Sequence, residues 1–174
     1  TLAGISQSEI DLIKERCTDL DLLSVQLYAK ILELPQQIKE FGWEGPYMVT
    51  EWGATGHWEV PKTSWGAPIE ENSTLKAANY LKRYKAAIEA DSLKCVGSYV
   101  FLWGQKQERT PTWYGVILED GKETESVDVM HYIWNGTWPE NRTPQIQSFT
   151  INNKTAYENV VLKANNEYLT SLKI

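Results

Sequence analysis

The chain has 174 residues, a net charge of −6 and a composition that is 42% hydrophobic and 23% charged. This composition predicts a globular protein and argues against a disordered one. The negative charge, with no run of Lys or Arg, argues against nucleic acid or a membrane surface as partner, because binding to phosphate needs a positive surface. No apolar run approaches the roughly 20 residues that a membrane-spanning helix needs.

The first predicted elements are a helix over residues 7–16, where apolar side chains alternate with charged ones, and a buried strand over 21–28. A helix over 31–41 is expected to begin near Pro35, because proline is tolerated at a helix start. A second strand follows over 46–53.

A long glycine-rich loop over 54–69 precedes the clearest helix, predicted over 73–90. Its apolar face, at the helical period, is expected to comprise Leu75, Ala78, Leu81, Tyr84, Ala87 and Ile88. A third strand is predicted over 96–104, a turn at Asp120-Gly121 and a helix over 123–134. Strands that alternate with helices in this way indicate parallel βα units with right-handed crossovers.

Three such units are too few for a complete (β/α)8 barrel, which needs roughly 250 residues. We therefore expect residues 1–140 to be part of a sheet or barrel, and the chain to be a piece of a longer protein. Residues 141–174 carry short alternating strands near 146–151, 160–162 and 168–169, separated by Asn-rich turns. This pattern favours the start of a β-sandwich module, which in full needs about 100 residues.

The aromatic composition is unusual, with eight Trp and nine Tyr against three Phe. Trp and Tyr combine a flat apolar face with a hydrogen-bonding group. A sugar ring has a matching C–H face and hydroxyl rim, so carbohydrate is the favoured ligand. For each single Trp, packing in the core is the alternative.

Two cysteines, Cys17 and Cys95, have no spacing typical of a metal site or a redox motif. Each precedes an apolar stretch, which leaves open either two buried thiols or a disulfide. We find no metal cluster, no phosphate-binding glycine loop and no Ser or Cys triad. The sequence therefore predicts neither a metal nor a cofactor.

Three strand motifs carry a family resemblance: DLLSVQLY over 21–28, PYMVTEWG over 46–53 and GSYVFLWG over 97–104. They resemble the sixth, seventh and eighth strands of clan-A glycoside hydrolase barrels, most closely the family-2-like catalytic domains. Their order and spacing agree over about residues 8–138. The resemblance implies an α/β fold that is the carboxyl-terminal part of a TIM barrel.

The same resemblance implies roles for individual residues. Glu51 matches the nucleophile, Tyr28 the tyrosine that hydrogen-bonds it, and Trp103 the platform under the reacting sugar. Gln26 stands where the family commonly has Asn, and is a candidate for binding substrate. Trp52, next to the nucleophile, is expected to alternate to the outer face and pack against helices. No stretch matches the fourth strand, which carries the family's acid/base Glu, so we expect that residue on a missing portion.

The loops after the second and third strands supply further candidates. His57, Trp58 and Trp65 follow the nucleophile and are candidates for contacting sugar, with packing within the loop as the alternative. Glu108 follows Trp103 and is a candidate for binding sugar hydroxyls, with a surface ion pair as the alternative.

These residues predict an exported (extracellular or periplasmic) retaining β-glycoside hydrolase or transglycosylase that acts on β-glucan-like carbohydrate. The exposed sheet edge predicts self-association or pairing with the missing barrel portion. One alternative is a carbohydrate-binding module that derives from such a barrel and lacks catalysis. Another is an unrelated α/β structural domain.

Overall fold

The structure is a computed structural model that describes residues 1–174. Its centre is a four-stranded parallel sheet in which the strands lie side by side in chain order. These strands are β1 (Leu2–Ala3), β2 (Leu23–Gln26), β3 (Tyr47–Gly53) and β4 (Cys95–Phe101). The fold is therefore mixed α/β, as the alternation of strands and helices predicts.

A helix follows each strand. The helices are α1 (Gln7–Arg16), α2 (Leu34–Glu40) after a 3-10 turn (Ala29–Glu33), α3 (Ser73–Arg83), which continues as a π turn (Tyr84–Glu89), and α4 (Glu125–Asn135). All four predicted helices, and the three strands predicted within residues 1–140, are confirmed to within a few residues. The sequence did not predict β1, because a strand of two residues is too short to show an alternation of apolar and polar side chains.

Local sequence explains where these helices begin and end. The side chain of Ser6 accepts a hydrogen bond from the backbone of Glu9 at the start of α1, and that of Asn72 does the same for Leu75 in α3. Pro35 lies in the first turn of α2, where its missing N–H costs nothing. Gly136 ends α4 with a φ of 73°, a left-handed conformation that glycine adopts without strain.

The helices pack on one face of the sheet and share a single hydrophobic core with it. Val25 and Val49 of the central strands are fully buried, as are Ile10 of α1 and Ile38 of α2. Trp52 is 0% exposed, with its ring centroid 5.5 Å from that of Tyr80 in α3. The prediction that Trp52 packs against helices is confirmed.

The predicted apolar face of α3 is wrong at two positions. Leu75 is 43% exposed and Ala78 is also exposed. The buried side of the helix instead includes Lys76 and Arg83, beside Ala77 and Tyr80. Hydrophobic periodicity misses these two cations because each is buried against polar partners that lie outside the helix.

The pairing of β2 with β3 contains a one-residue irregularity. Val25 pairs with Val49 but Gln26 pairs with Glu51, so Thr50 is an extra residue in β3. The Thr50 hydroxyl lies 2.7 Å from the Ser24 hydroxyl, and the Gln26 side-chain amide donates a hydrogen bond to the Glu51 carboxylate. Glu51 and Thr50 therefore both face away from the helices, while Trp52 returns to the helix side.

The carboxyl-terminal segment forms a two-stranded antiparallel ribbon of β5 (Ser148–Ile151) and β6 (Thr170–Lys173). No strand forms over 160–162, so that prediction is wrong. The Asn-rich turns are confirmed, since positive φ angles occur at Asn152, Asn153, Asn159 and Asn165. No helix has the length and apolar character that crossing a bilayer requires.

Buried Arg83 fixes the backbone just after Glu51. It donates hydrogen bonds to the Gly53 carbonyl (2.6 Å) and to the Thr55 hydroxyl (2.7 Å). Gly53 itself has no room for a side chain, because a Cβ there would lie 2.3 Å from the Phe101 carbonyl oxygen. The end of β3 is therefore held from both sides.

We expect Arg83→Met to lower the free energy of unfolding by about 1–3 kcal/mol, because the buried Gly53 carbonyl would lose its charged donor. Urea denaturation measures this change. The matched control is Lys82→Met on the exposed side of the same helix, for which we expect a change within about 0.5 kcal/mol. Equal midpoints for both variants would contradict a role of Arg83 in holding the strand end.

Candidate functional site

Glu51 lies near the carboxyl end of β3, with a donor on each carboxylate oxygen. The Tyr28 hydroxyl donates to Oε1 at 2.5 Å, and the Gln26 amide donates to Oε2 at a longer 3.3 Å. Both donors come from β2 and the residues just after it, so the parallel pairing of β2 with β3 brings these three side chains together. The resemblance predicted the contact of Tyr28 with Glu51, whereas the contact of Gln26 with Glu51 was not predicted.

The Tyr28 side chain is 8% exposed and lies among aromatic rings. Its ring centroid is 5.4 Å from that of Trp58, 5.7 Å from Tyr114 and 6.2 Å from Phe101, all in edge-on arrangements. Burial, together with the hydrogen bond to Glu51, raises the pKa of Tyr28 well above its ordinary value. The phenol therefore stays protonated and acts as a donor to Glu51.

An open cleft of about 370 Å³ lies over these residues. Its wall is formed by Glu51, the loop after β2, the loop after β3 and the end of β1. The lining residues are Ala3, Gly4, Gln26, Leu27, Tyr28, Lys30, Glu51, Trp58 and Glu59. The cleft thus carries two carboxylates, one ammonium group, a phenol and an indole, with which a polar ligand can form hydrogen bonds and stacking contacts.

The loop after β3 is fixed near the cleft by Tyr114. The Tyr114 hydroxyl accepts from the His57 backbone N–H at 3.1 Å and lies 3.0 Å from His57 Nδ1. His57 is partly buried in this contact and does not line the cleft. Its neighbour Trp58 does, with 57% of its surface exposed.

Trp65, Trp103 and Glu108 lie outside the cleft. Trp65 is at the tip of a turn closed by the Lys62–Pro68 bridge. Trp103 follows the end of β4 and packs on Trp134 of α4, with ring centroids 5.5 Å apart. Glu108 forms an ion pair with Lys106 at 2.6 Å, as expected if its role is a surface ion pair. These three thus do not line the cleft, although the charge of Glu108 is close enough to Tyr28 to help raise its pKa. A role in sugar binding stays a prediction for each.

Glu59 is a cleft residue that the sequence did not single out. Its Oε2 accepts hydrogen bonds from the backbone N–H groups of Ala29 and Gly56, both at 3.0 Å. These amides belong to the loops after β2 and β3, so their approach becomes visible only in the folded chain.

A separate cavity of about 480 Å³ lies between the start of α3, the start of α4 and residues 112–118. Its wall contains Lys76, which is 8% exposed and pairs with Glu70. Glu70 also accepts from the hydroxyls of Thr110 (2.6 Å) and Thr112 (2.8 Å). This network ties the loop after β4 to the loop after β3.

The network perturbs the pKa values of its charged members. Burial alone would raise the pKa of Glu70, but hydrogen bonds from Lys76, Thr110 and Thr112 outweigh it, so this pKa lies below its usual value. Burial lowers the pKa of Lys76. Protonation of Glu70 would therefore leave Lys76 buried without its counter-charge.

The cysteines are both free: Cys95 is buried and Cys17 is exposed. The disulfide alternative is thus not formed, and the expectation of a buried thiol holds for Cys95 alone. No group of three or more His, Cys, Asp or Glu side chains is arranged to hold a metal ion.

The lowered pKa of Glu70 predicts a pH-dependent contribution to stability. This contribution is present above the unfolded-state pKa and is lost as pH falls through the folded value. We expect Glu70→Gln to cost about 1–3 kcal/mol of unfolding free energy at about pH 7 and much less at about pH 3. Urea denaturation at both pH values measures the difference. The exposed Glu119→Gln variant is the control, and an equal loss at both pH values would contradict the assignment.

No protein-family model matches this chain, and no curated protein matches it significantly. The geometry around Glu51 is therefore the basis on which a function can be inferred for this chain.

Proposed function

We propose that residues 1–140 are the carboxyl-terminal part of a retaining β-glycoside hydrolase or transglycosylase barrel of the clan-A type, with Glu51 as nucleophile. The observation that carries this proposal is the hydrogen bond from the buried Tyr28 phenol to Glu51 at the carboxyl end of a parallel sheet. In barrel enzymes, active sites lie at this end of the strands.

The proposed chemistry is a double displacement. An oxygen of the Glu51 carboxylate forms an ester bond with the anomeric carbon, while the bond from that carbon to the leaving-group oxygen breaks and this oxygen takes a proton from a second carboxylic acid. Water then cleaves the ester, and the second carboxylate takes the proton of that water. Tyr28 and Gln26 orient the attacking carboxylate and need not move during either step.

The acid/base of a retaining site lies about 5–5.5 Å from the nucleophile. We assign it to the missing barrel portion and not to Glu59, because two backbone amides already hold the Oε2 of Glu59. On this proposal, the isolated chain carries the nucleophile half of the catalytic pair.

The order of the sheet supports a barrel wall. Each new strand adds beside the previous one, and the helices pack on the same face. A doubly wound sheet reverses direction and has helices on both faces. We assign β2, β3 and β4 to the sixth, seventh and eighth strands of the barrel, and the ribbon within 141–174 to the start of a β-sandwich module.

The substrate that we propose is β-glucan-like carbohydrate, and we place the intact protein in an extracellular or periplasmic compartment. Trp58 supports the choice of sugar, because an exposed indole beside the cleft offers a flat apolar face for stacking. The hydroxyl rim of a sugar would meet the Glu51, Gln26 and Lys30 side chains.

A second candidate is a carbohydrate-binding module that derives from a barrel and lacks catalysis. The observation that favours it is that two backbone amides hold the Glu59 carboxylate, so the cleft offers no second carboxylate that is free to act as acid/base. Such a module would bind sugar through Trp58 and would form no covalent intermediate.

Incubation with a panel of 2-fluoro dinitrophenyl β-glycosides, followed by intact mass measurement, tests the proposal. These leaving groups depart without acid assistance, so a chain that lacks the acid/base can still form the ester. We expect a sugar-sized mass gain that maps to the peptide containing Glu51. The sugar that labels fastest also identifies the substrate.

Glu51→Gln distinguishes the two candidates. For the glycosidase, we expect labelling to disappear while sugar affinity, measured by calorimetry, stays within about threefold, because the amide keeps the shape of the side chain. The control Glu119→Gln, on an exposed turn, should be labelled at the same rate as the unsubstituted chain. If the unsubstituted chain binds sugar but is not labelled, the binding module is favoured. If it shows neither binding nor labelling, an unrelated α/β domain is favoured.

Self-association of the isolated chain is a further expected outcome. Val96 and Tyr99 of β4 are 56% and 61% exposed, beside an unpaired sheet edge. Sedimentation velocity should show concentration-dependent association, which Tyr99→Lys should reduce by placing a charge at this edge. A monodisperse monomer at all concentrations would contradict this prediction.

A further inference from the structure

Residues 56–59 form a tight turn that is closed by two hydrogen bonds between Glu59 and Gly56. The Glu59 backbone N–H donates to the Gly56 carbonyl at 2.8 Å, and the Glu59 carboxylate accepts from the Gly56 N–H at 3.0 Å. The main chain and the side chain of one residue thus hold the same turn. Trp58, the exposed indole of the cleft, is inside it.

The same carboxylate oxygen reaches across to the neighbouring loop. Glu59 Oε2 accepts from the Ala29 N–H at 3.0 Å, and Ala29 directly follows Tyr28 in the chain. One oxygen atom therefore joins the residue after Tyr28 to the turn that carries Trp58. The Tyr28 and Trp58 rings meet edge-on between these two attachment points, 5.4 Å apart.

Gly56 shows how little room this arrangement leaves. A Cβ at Gly56 would lie 2.7 Å from the Trp58 ring and 3.0 Å from Glu59 Oε2. Any side chain at Gly56 would displace the indole, the carboxylate or both. The turn therefore requires glycine because of contacts, and its φ is not in the left-handed region.

We propose that Glu59 is a positioning residue that holds the Tyr28 phenol and the Trp58 indole over Glu51. This inference rests on the proposed function, since it assigns Glu59 to the site in which Glu51 is the nucleophile. Glu59 acts through Tyr28 and Trp58 and does not exchange a proton with the sugar. The inference predicts that Glu59 needs an acceptor oxygen and does not need a negative charge.

Two substitutions separate the acceptor from the charge. Glu59→Gln keeps an amide oxygen that can accept both N–H bonds, because a single carboxylate oxygen accepts both in the parent chain. Glu59→Ala removes the acceptor. Glu33→Ala, an exposed glutamate in the 3-10 turn after Tyr28, is the matched control for loss of a carboxylate nearby.

The first readout is labelling of Glu51 by the activated 2-fluoro glycoside. We expect Glu59→Ala to slow labelling about 10- to 100-fold, because small misplacements of reacting groups have effects of that size. Glu59→Gln should restore the rate to within about threefold, and Glu33→Ala should not change it. Circular dichroism and thermal unfolding of each variant show whether the fold is kept.

The second readout does not depend on the reaction. In nuclear magnetic resonance spectra, contacts between the Tyr28 and Trp58 rings should persist in Glu59→Gln and disappear in Glu59→Ala. Gly56→Ala keeps the Glu59 carboxylate but should also lose the contacts between the two rings. It replaces Glu59→Ala as the test variant if Glu59→Ala does not fold. Ring contacts that persist in Glu59→Ala or in Gly56→Ala would overturn the inference.

The outcomes distinguish this inference from the proposed function. If Glu59→Gln labels as slowly as Glu59→Ala, the charge itself is needed, and a positioning role is wrong. If the parent chain is not labelled, the proposed reaction fails. The ring contacts then still decide whether Glu59 holds Tyr28 and Trp58 together.

Discussion

The site depends on the extra residue in β3. If β3 alternated strictly from Val49, Glu51 would face the helices and Trp52 would face the open side of the sheet. Burying an unpaired carboxylate would cost several kcal/mol, whereas burying an indole is favourable by about 2–3 kcal/mol. The bulge at Thr50 turns Glu51 toward Gln26 and Trp52 toward Tyr80. The carboxylate thereby gains donors and the indole ring is buried, although the Trp52 Nε1 has no hydrogen-bond partner.

Buried polar contacts keep that arrangement rigid beyond the end of the strand. Arg83 holds the Gly53 carbonyl, and the Lys76–Glu70 pair ties the two loops that follow β3 and β4. Tyr114 adds a third tie through the His57 backbone. These groups lie between the helix layer and the loops, where an unpaired partner would be costly. Loss of one member therefore disturbs the loop geometry as well as stability.

Most of the fold was predictable because hydrophobic periodicity is local. The apolar run of β3 and the helical period over 73–90 each specify an element without knowledge of the rest of the chain. What could not be predicted depends on contacts between distant residues. β1 is two residues long and exists only because it pairs with β2, and the burial of Lys76 and Arg83 depends on partners outside their helix.

The site was predictable to the extent that strand motifs specify it. The family resemblance of the strand motifs predicted that Tyr28 meets Glu51, but it did not predict the contact of Gln26 with Glu51. Motifs could not predict that Trp103 packs on Trp134, since Trp103 lies two residues beyond the end of β4. Glu59 was missed for the same reason, as its partner Ala29 is 30 residues away in the chain.

Exposure alone does not identify which tryptophan can serve a ligand. Trp58 and Trp65 are equally exposed, at 57% each, and occupy the same long loop. Trp58, however, is in a turn fixed by Glu59 and lies against Tyr28, whereas Trp65 is at the tip of the turn closed by Lys62 and Pro68. An indole that is already held in place loses little conformational entropy when a ligand binds. The contacts around each ring, more than the exposed area, therefore decide that Trp58 belongs to the cleft.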